Sequence, residues 1–146
     1  MTPDQAIARE AIRYTQAAYH VAGDRGRVEE LVAQFTEDGV LEIASGAYAG
    51  RDAIAARLRE VGERPSLPEG VRPFLHHHLT TSHVEFVSET EATGSSYFLV
   101  MSPIGLDHCG RYADVYVRVG ERWLIKRRTA TVSWAAPDSI VGARAR

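Results

Sequence analysis

The stretch Leu75–Ser88, LHHHLTTSHVEFVS, decides the fold. Before it, apolar residues recur at helical spacing; from Leu75 onward the period falls towards two and β-branched and aromatic residues dominate. Three later stretches share that character: EATGSSYFLVMS (Glu91–Ser102), CGRYADVYVRV (Cys109–Val119) and RWLIKRRTATVSW (Arg122–Trp134). SETE, PIGLDH and GE join them with hairpin composition, Gly120-Glu121 being the tightest turn.

Working outward from that boundary, the N-terminal half reads as helices. Thr2, Pro3 and Gln5 supply an N-cap, a first-turn proline and a capping box, and Ile7, Ala11, Tyr14, Ala18 and Ala22 follow at helical spacing. A short second helix is expected with Val28, Leu31, Val32 and Phe35 as its buried stripe. EDGVLEIA (Glu37–Ala44) reads as a turn and a strand, and Asp52 is placed to cap a third helix carrying Ile54, Ala55 and Leu58. GERPSLPEGVRP (Gly62–Pro73) is a loop or lid rather than a linker. Three helices followed by antiparallel strands predict an α+β fold, a curved cone-shaped sheet with its helices gathered on one side and a pocket at its open end. The domain is expected over residues 1–136, with a loosely held tail over 137–146.

Composition narrows the function classes. The chain has 146 residues, 45% apolar and 25% charged, with a formal charge of −2 and dispersed basic residues, so no nucleic-acid footprint is present. A single cysteine, Cys109, excludes an internal disulfide. MTPDQAIARE is not a secretory signal, and no run approaches the roughly 18 apolar residues of a membrane span. The expectation is a cytoplasmic domain without a membrane partner.

Four of the six histidines lie between Phe74 and Phe86. On a strand His76 and His78 share one face and His77 takes the other. The His76/His78 pair could start a metal site, but the sequence offers no third ligand at recognised spacing, so no metal is expected. Proton transfer is the sharper reading. Tyr19 and Asp24 straddle the end of the first helix, where an aspartate can orient an imidazole and a phenol can hydrogen-bond a carbonyl oxygen gaining charge. The same spacing also fits an architectural set, with Tyr19 packed, Asp24 capping and His77 satisfied inside.

The pieces AAYHVAGDRGRVEELVAQFTEDGVLEI, AYAGRDAIAARL, HHHLTTSHVEF, GRYADVYVRVGERWLIKRR and the late SW, in this order, resemble the SnoaL-like branch of the nuclear-transport-factor-2-like superfamily. The resemblance runs from about Gln5 to Trp134. It implies a helix-closed cone with a deep apolar pocket and, from the eliminating enzymes of the family, cofactor-free chemistry around a His–Asp pair. Asp24 falls on the family aspartate, His77 on the strand histidine, and Tyr19 on a tyrosine one turn before the aspartate. Where family dehydratases carry a further acidic residue or a second histidine, this chain has Val100 and Ser102; Ser102, Asp107 and His108 remain alternatives for that role. Tyr112, Ser102, Trp123, Tyr97 and Arg128 are candidates for substrate binding, with Asp114 and Arg128 also able to pair across adjacent strands. The resemblance implies a lyase of dehydratase or dehydrohalogenase type on a small apolar cyclic or polycyclic substrate, with an isomerase, a polyketide-type cyclase or a non-catalytic ligand-binding or assembly subunit as alternatives. An open sheet face with alternating apolar residues adds the expectation of a homo-oligomer, and the resemblance implies a trimer or a dimer.

Overall fold

The computed structural model of the chain describes residues 1–61 and 67–139. Helix α1 (Pro3–Asp24) opens as expected: the Gln5 N–H donates to the Thr2 hydroxyl and the Gln5 side chain accepts from the Thr2 N–H. Its buried face, however, is rotated from the expected stripe. Ile7 and Tyr14 are each 71% exposed, whereas Ile12, Thr15, Gln16, Tyr19 and His20 are buried; of the expected stripe, Ala22 is buried and Ala11 packs against the core. The cause is polar satisfaction. The Thr15 hydroxyl donates to the Trp123 carbonyl and the Gln16 amide to the Tyr116 hydroxyl, so polar side chains occupy the inward face at little cost.

Gly26, at φ +69°, lets the chain turn out of α1 into the short α2 (Val28–Val32). Phe35, expected on that helix, instead opens strand β1 (Phe35–Ile43), fully buried and paired with Ile125. Pairing of this segment with the last strand wins over continued helix, and the expected turn at Glu37–Gly39 becomes an irregularity within β1. After β2 (Gly46–Ala49), helix α3 (Arg51–Val61) starts from Gly50, whose carbonyl accepts from the Ile54 N–H. Asp52 therefore lies inside the first turn, where its carboxylate complements the positive helix end.

The remaining strands are β3 (His76–Phe86), β4 (Glu91–Ser102), β5 (Gly105–Val119) and β6 (Arg122–Ala135). The sheet order is β2-β1-β6-β5-β4-β3; every pairing is antiparallel except β1 with β6, so the sheet is mixed. It is curved and unclosed, with β3 at one edge. Its inner face and the helices enclose a core built on Ile12, Leu31, Phe35, Ile54, Tyr116 and Ile125. A smaller cluster of Phe98, Val100 and Tyr112 lies toward the β3 side.

The first part of the Gly62–Pro73 loop, residues 62–66, lies outside the described residues, as do residues 140–146 of the expected tail. The tail's start is anchored: the Ala136 N–H donates to the Asp107 carbonyl and the Ser139 hydroxyl to the Asp107 carboxylate. Among the described residues no helix is long and apolar enough to cross a membrane.

Candidate active site

Strand alternation turns His77 inward, and the end of α1 delivers Asp24 to meet it. The His77 ring Nδ1 lies 2.5 Å from Asp24 Oδ1, and the His77 backbone N–H donates to Asp24 Oδ2 at 2.9 Å. One carboxylate thus holds both ring and backbone. Donation from Nδ1 leaves Nε2 as the lone-pair nitrogen, directed away from the aspartate. The pair is partly open, with side-chain exposures of 25% for His77 and 15% for Asp24. His76 and His78 are exposed, His76 packing beside Phe74.

Across the inner face, His77, Val100 and His108 stand in register on β3, β4 and β5. The buried Val100 therefore forms a floor between two imidazoles, whose ring centroids are 6.4 Å apart and nearly perpendicular. His108 carries its own carboxylate: its Nδ1 is 2.8 Å from Asp107 Oδ1, and Asp107 Oδ2 accepts from the Ser102 hydroxyl at 3.0 Å. Asp107 is fully buried. Ser102, Asp107 and His108, alternatives from sequence, are thus one hydrogen-bonded group.

Gly110 makes room beside it. A β-carbon there would lie 2.1 Å from the Thr131 carbonyl and 2.8 Å from the Phe98 ring. Without that side chain, Phe98 stacks on Tyr112 at 4.5 Å and touches both histidines edgewise or at a tilt.

Behind the histidines lies a buried ion pair. Arg128 donates to Asp114 through Nε (2.9 Å) and Nη2 (2.8 Å), and neither side chain reaches solvent appreciably. Asp114 also accepts from the Tyr116 hydroxyl at 2.6 Å, which in turn accepts from Gln16. Burial opposes the Arg128 charge, but the Asp114 carboxylate outweighs it and holds the arginine pKa well above its ordinary value. The guanidinium lies 4.3 Å from the Tyr19 ring centre and 4.1 Å from that of Tyr112. Burial raises the pKa of both phenols, so both keep their protons at neutral pH.

The sequence candidates therefore separate into groups. His77 and Asp24 touch; Tyr19, Tyr112 and Arg128 form the adjoining stack; Ser102 joins the His108 group. Trp123 packs in the main core against Phe86, and Tyr97 is 55% exposed on the outer sheet face. One residue escaped the sequence reading. His20, buried on α1, lies nearly parallel to the His77 ring at 5.2 Å. Its position four residues before Asp24, on the same helical face, was the available signal.

A groove of about 470 Å³ runs between α1 and β3, past Gln16, His20, His77, Leu79 and Ser82. Among the described residues no group of three or more His, Cys, Asp or Glu side chains is placed to hold a metal ion.

The sequence profile of the SnoaL-like domain matches residues 4–129. A candidate scytalone dehydratase from Novosphingobium aromaticivorans is 27% identical, with a TM-score of 0.79 over 93% of this chain and 91% of that one. A protein of unknown function from Mycobacterium tuberculosis is 25% identical, with a TM-score of 0.75 over 95% and 80% of the two chains. A type 2 hexachlorocyclohexane dehydrochlorinase, 19% identical with a TM-score of 0.75 over 92% and 90%, shares the fold. No curated protein sequence matches the chain.

Proposed function

The chain belongs to the SnoaL-like domain family, and from that premise we propose that it is a cofactor-independent lyase of dehydratase or dehydrohalogenase type. Its substrate is a small apolar cyclic or polycyclic compound with an acidic C–H beside a carbonyl. The observation that carries this reading is the double grip of Asp24 on His77, which fixes the ring's tautomer and leaves Nε2 as a base.

In this mechanism His77 Nε2 takes the proton, and Asp24 stabilises the imidazolium that forms. The C–H electron pair becomes the new double bond as the leaving group departs. The vacancy at Val100 and Ser102 is filled by His108, which Asp107 orients on the far side of Val100. His108 hands a proton to a departing hydroxyl, whereas a halide leaves without one. When the product leaves, water entering between the rings carries the proton from His77 back to His108, which resets both. Tyr112 and Phe98 supply flat apolar surface for a ring substrate, and Arg128 biases the site toward developing negative charge. The family resemblance implies Tyr19 as a donor to the charged oxygen, a role that its packing against Phe35 and Arg128 leaves open to a neighbour. General acid–base catalysis of this kind is worth about 10²–10⁴-fold.

The test is product mass. Incubation with a panel of cyclic β-hydroxy and β-halo ketones should release water or hydrogen halide, and His77→Ala should abolish the release while leaving the fold intact. Product of unchanged mass would move the protein to the isomerases or cyclases. A ligand retained without turnover would make it a binding or assembly subunit.

Self-association belongs to the same proposal. Tyr97 and Trp134 project from the outer sheet face, 55% and 48% exposed, near the partly exposed Leu99. A second or third copy of the chain would cover this face. Light scattering of the wild type and Trp134→Glu checks it: the wild type should be a dimer or trimer and the variant smaller.

A further inference from the structure

His20 holds a position the proton-transfer scheme does not use. It is buried on the inner face of α1, nearly parallel to His77 with 19° between the ring planes, and Tyr112 is a further ring neighbour at 5.5 Å. Its Nε2 is buried without a hydrogen-bond partner among the described residues. Native proteins pair nearly all such atoms, so an unpaired one beside a reactive ring marks a place for a ligand atom. Two more belong to the same neighbourhood. The Ser96 hydroxyl is buried and unpaired, on the strand residue that pairs with Tyr112, and the Arg128 Nη1 is buried and unpaired on the guanidinium packed against the Tyr112 ring. The three lie around one tyrosine, and of them His20 borders the groove that runs past His77.

We propose that this cluster is the subsite for the oxygen of an enolisable carbonyl compound, a ketone or thioester, and that His20 Nε2 donates the hydrogen bond to that oxygen while His77 removes the neighbouring proton. The assignment rests on the proton-abstraction reading above and deepens it. The groups facing His20 are Arg128 from β6, His77 from β3, Tyr112 from β5 and Tyr19 from its own helix, with Asp24 beyond His77. Burial, then Arg128, then His77 hold the His20 pKa well below the ordinary imidazole value, so it stays neutral when His77 takes up a proton. A neutral imidazole keeps one N–H to donate. Tyr19, one residue earlier, is turned about 100° around the helix. It meets His20 edge-on and packs against Phe35 and Arg128, so the face shared with His77 belongs to His20.

4-Nitrophenolate serves as a flat enolate mimic, and 4-nitroanisole as a control of the same shape with its oxygen blocked. The wild type should prefer the phenolate. His20→Phe, which keeps a flat ring, should weaken phenolate binding about tenfold or more and leave the anisole unchanged. His20→Gln, which restores a donor, should recover part of the preference. Ser96→Ala should lose a smaller part, and carries the test together with His20→Gln if His20→Phe does not fold. No phenolate preference in the wild type would overturn the subsite; so would equal phenolate binding in His20→Phe, or parallel loss of both probes from a folded variant. A His20-dependent preference without turnover of any β-substituted ketone keeps the subsite and removes the lyase reading. Turnover with His20-independent phenolate binding does the reverse.

Discussion

Asp24 holds His77 by two different atoms, the ring Nδ1 at 2.5 Å and the backbone N–H at 2.9 Å, so helix α1 and strand β3 meet through a single carboxylate. Asp24→Asn keeps the shape but removes the charge that offsets the imidazolium. On a substrate that His77 deprotonates, kcat should fall by about 10²–10⁴, as for His77→Gln, with little change in KM. A double variant no worse than either single one would establish that the two residues act as a unit; multiplicative losses would separate their roles.

His108 and Asp107 should be selective for the leaving group. A departing hydroxyl needs a proton and a departing halide does not. His108→Gln should therefore slow elimination of water from a β-hydroxy ketone by about 10²-fold or more, while elimination of hydrogen chloride from the matching β-chloro ketone changes little. Equal loss on both substrates would reduce the pair to a structural tie between β5 and the Ala136–Ser139 segment.

The Arg128–Asp114 pair should dominate the mutational stability of the interior. Asp114→Ala leaves a buried guanidinium unpaired and the Tyr116 hydroxyl without its acceptor, and should cost about 3–5 kcal/mol in urea unfolding. Replacement of both partners by apolar residues of similar volume should cost much less, because no charge is then left stranded.

Stability should also fall in mild acid, and His20 sets the sign. Its folded pKa is lowered, by burial first, then by Arg128 and His77, while the unfolded ring takes a proton near about pH 6.5. The unfolded state therefore binds more protons below that value. The His20 contribution is fully present above about pH 6.5 and is lost as the pH falls from there toward the folded value. Urea midpoints measured on both sides of pH 6.5 should differ, and the difference should shrink in His20→Phe.

The class of fold was legible because the change of period at Leu75 is abrupt and the capping box at Thr2–Gln5 is local chemistry. The boundary at Phe35 was not, since an apolar residue after Leu31 and Val32 continues a helical stripe equally well; only the pairing with Ile125, far along the chain, draws it into the sheet. The buried face of α1 was misread for a related reason. Thr15, Gln16 and His20 look like surface residues until their partners on the sheet are known, whereas Ile7 and Tyr14 look buried and are exposed. At the site, His77 and Asp24 were readable through the family pattern, and their contact follows from helix end meeting strand. The partnership of His108 with Asp107 depends on the irregularity between Val100 and Met101, where the β4–β5 register shifts, and no periodicity announces that.

β3 is the outermost strand on its side of the sheet, and the His77 amide that Asp24 captures is a main-chain donor not spent on β4. Unspent donors along such a margin invite another chain to add itself as the next strand. The carboxylate that aims the imidazole thereby also seals part of that margin. Loss of Asp24 would open a sticky border as well as release the His77 ring, so the orientation of that ring and resistance to aggregation are tied to the same side chain.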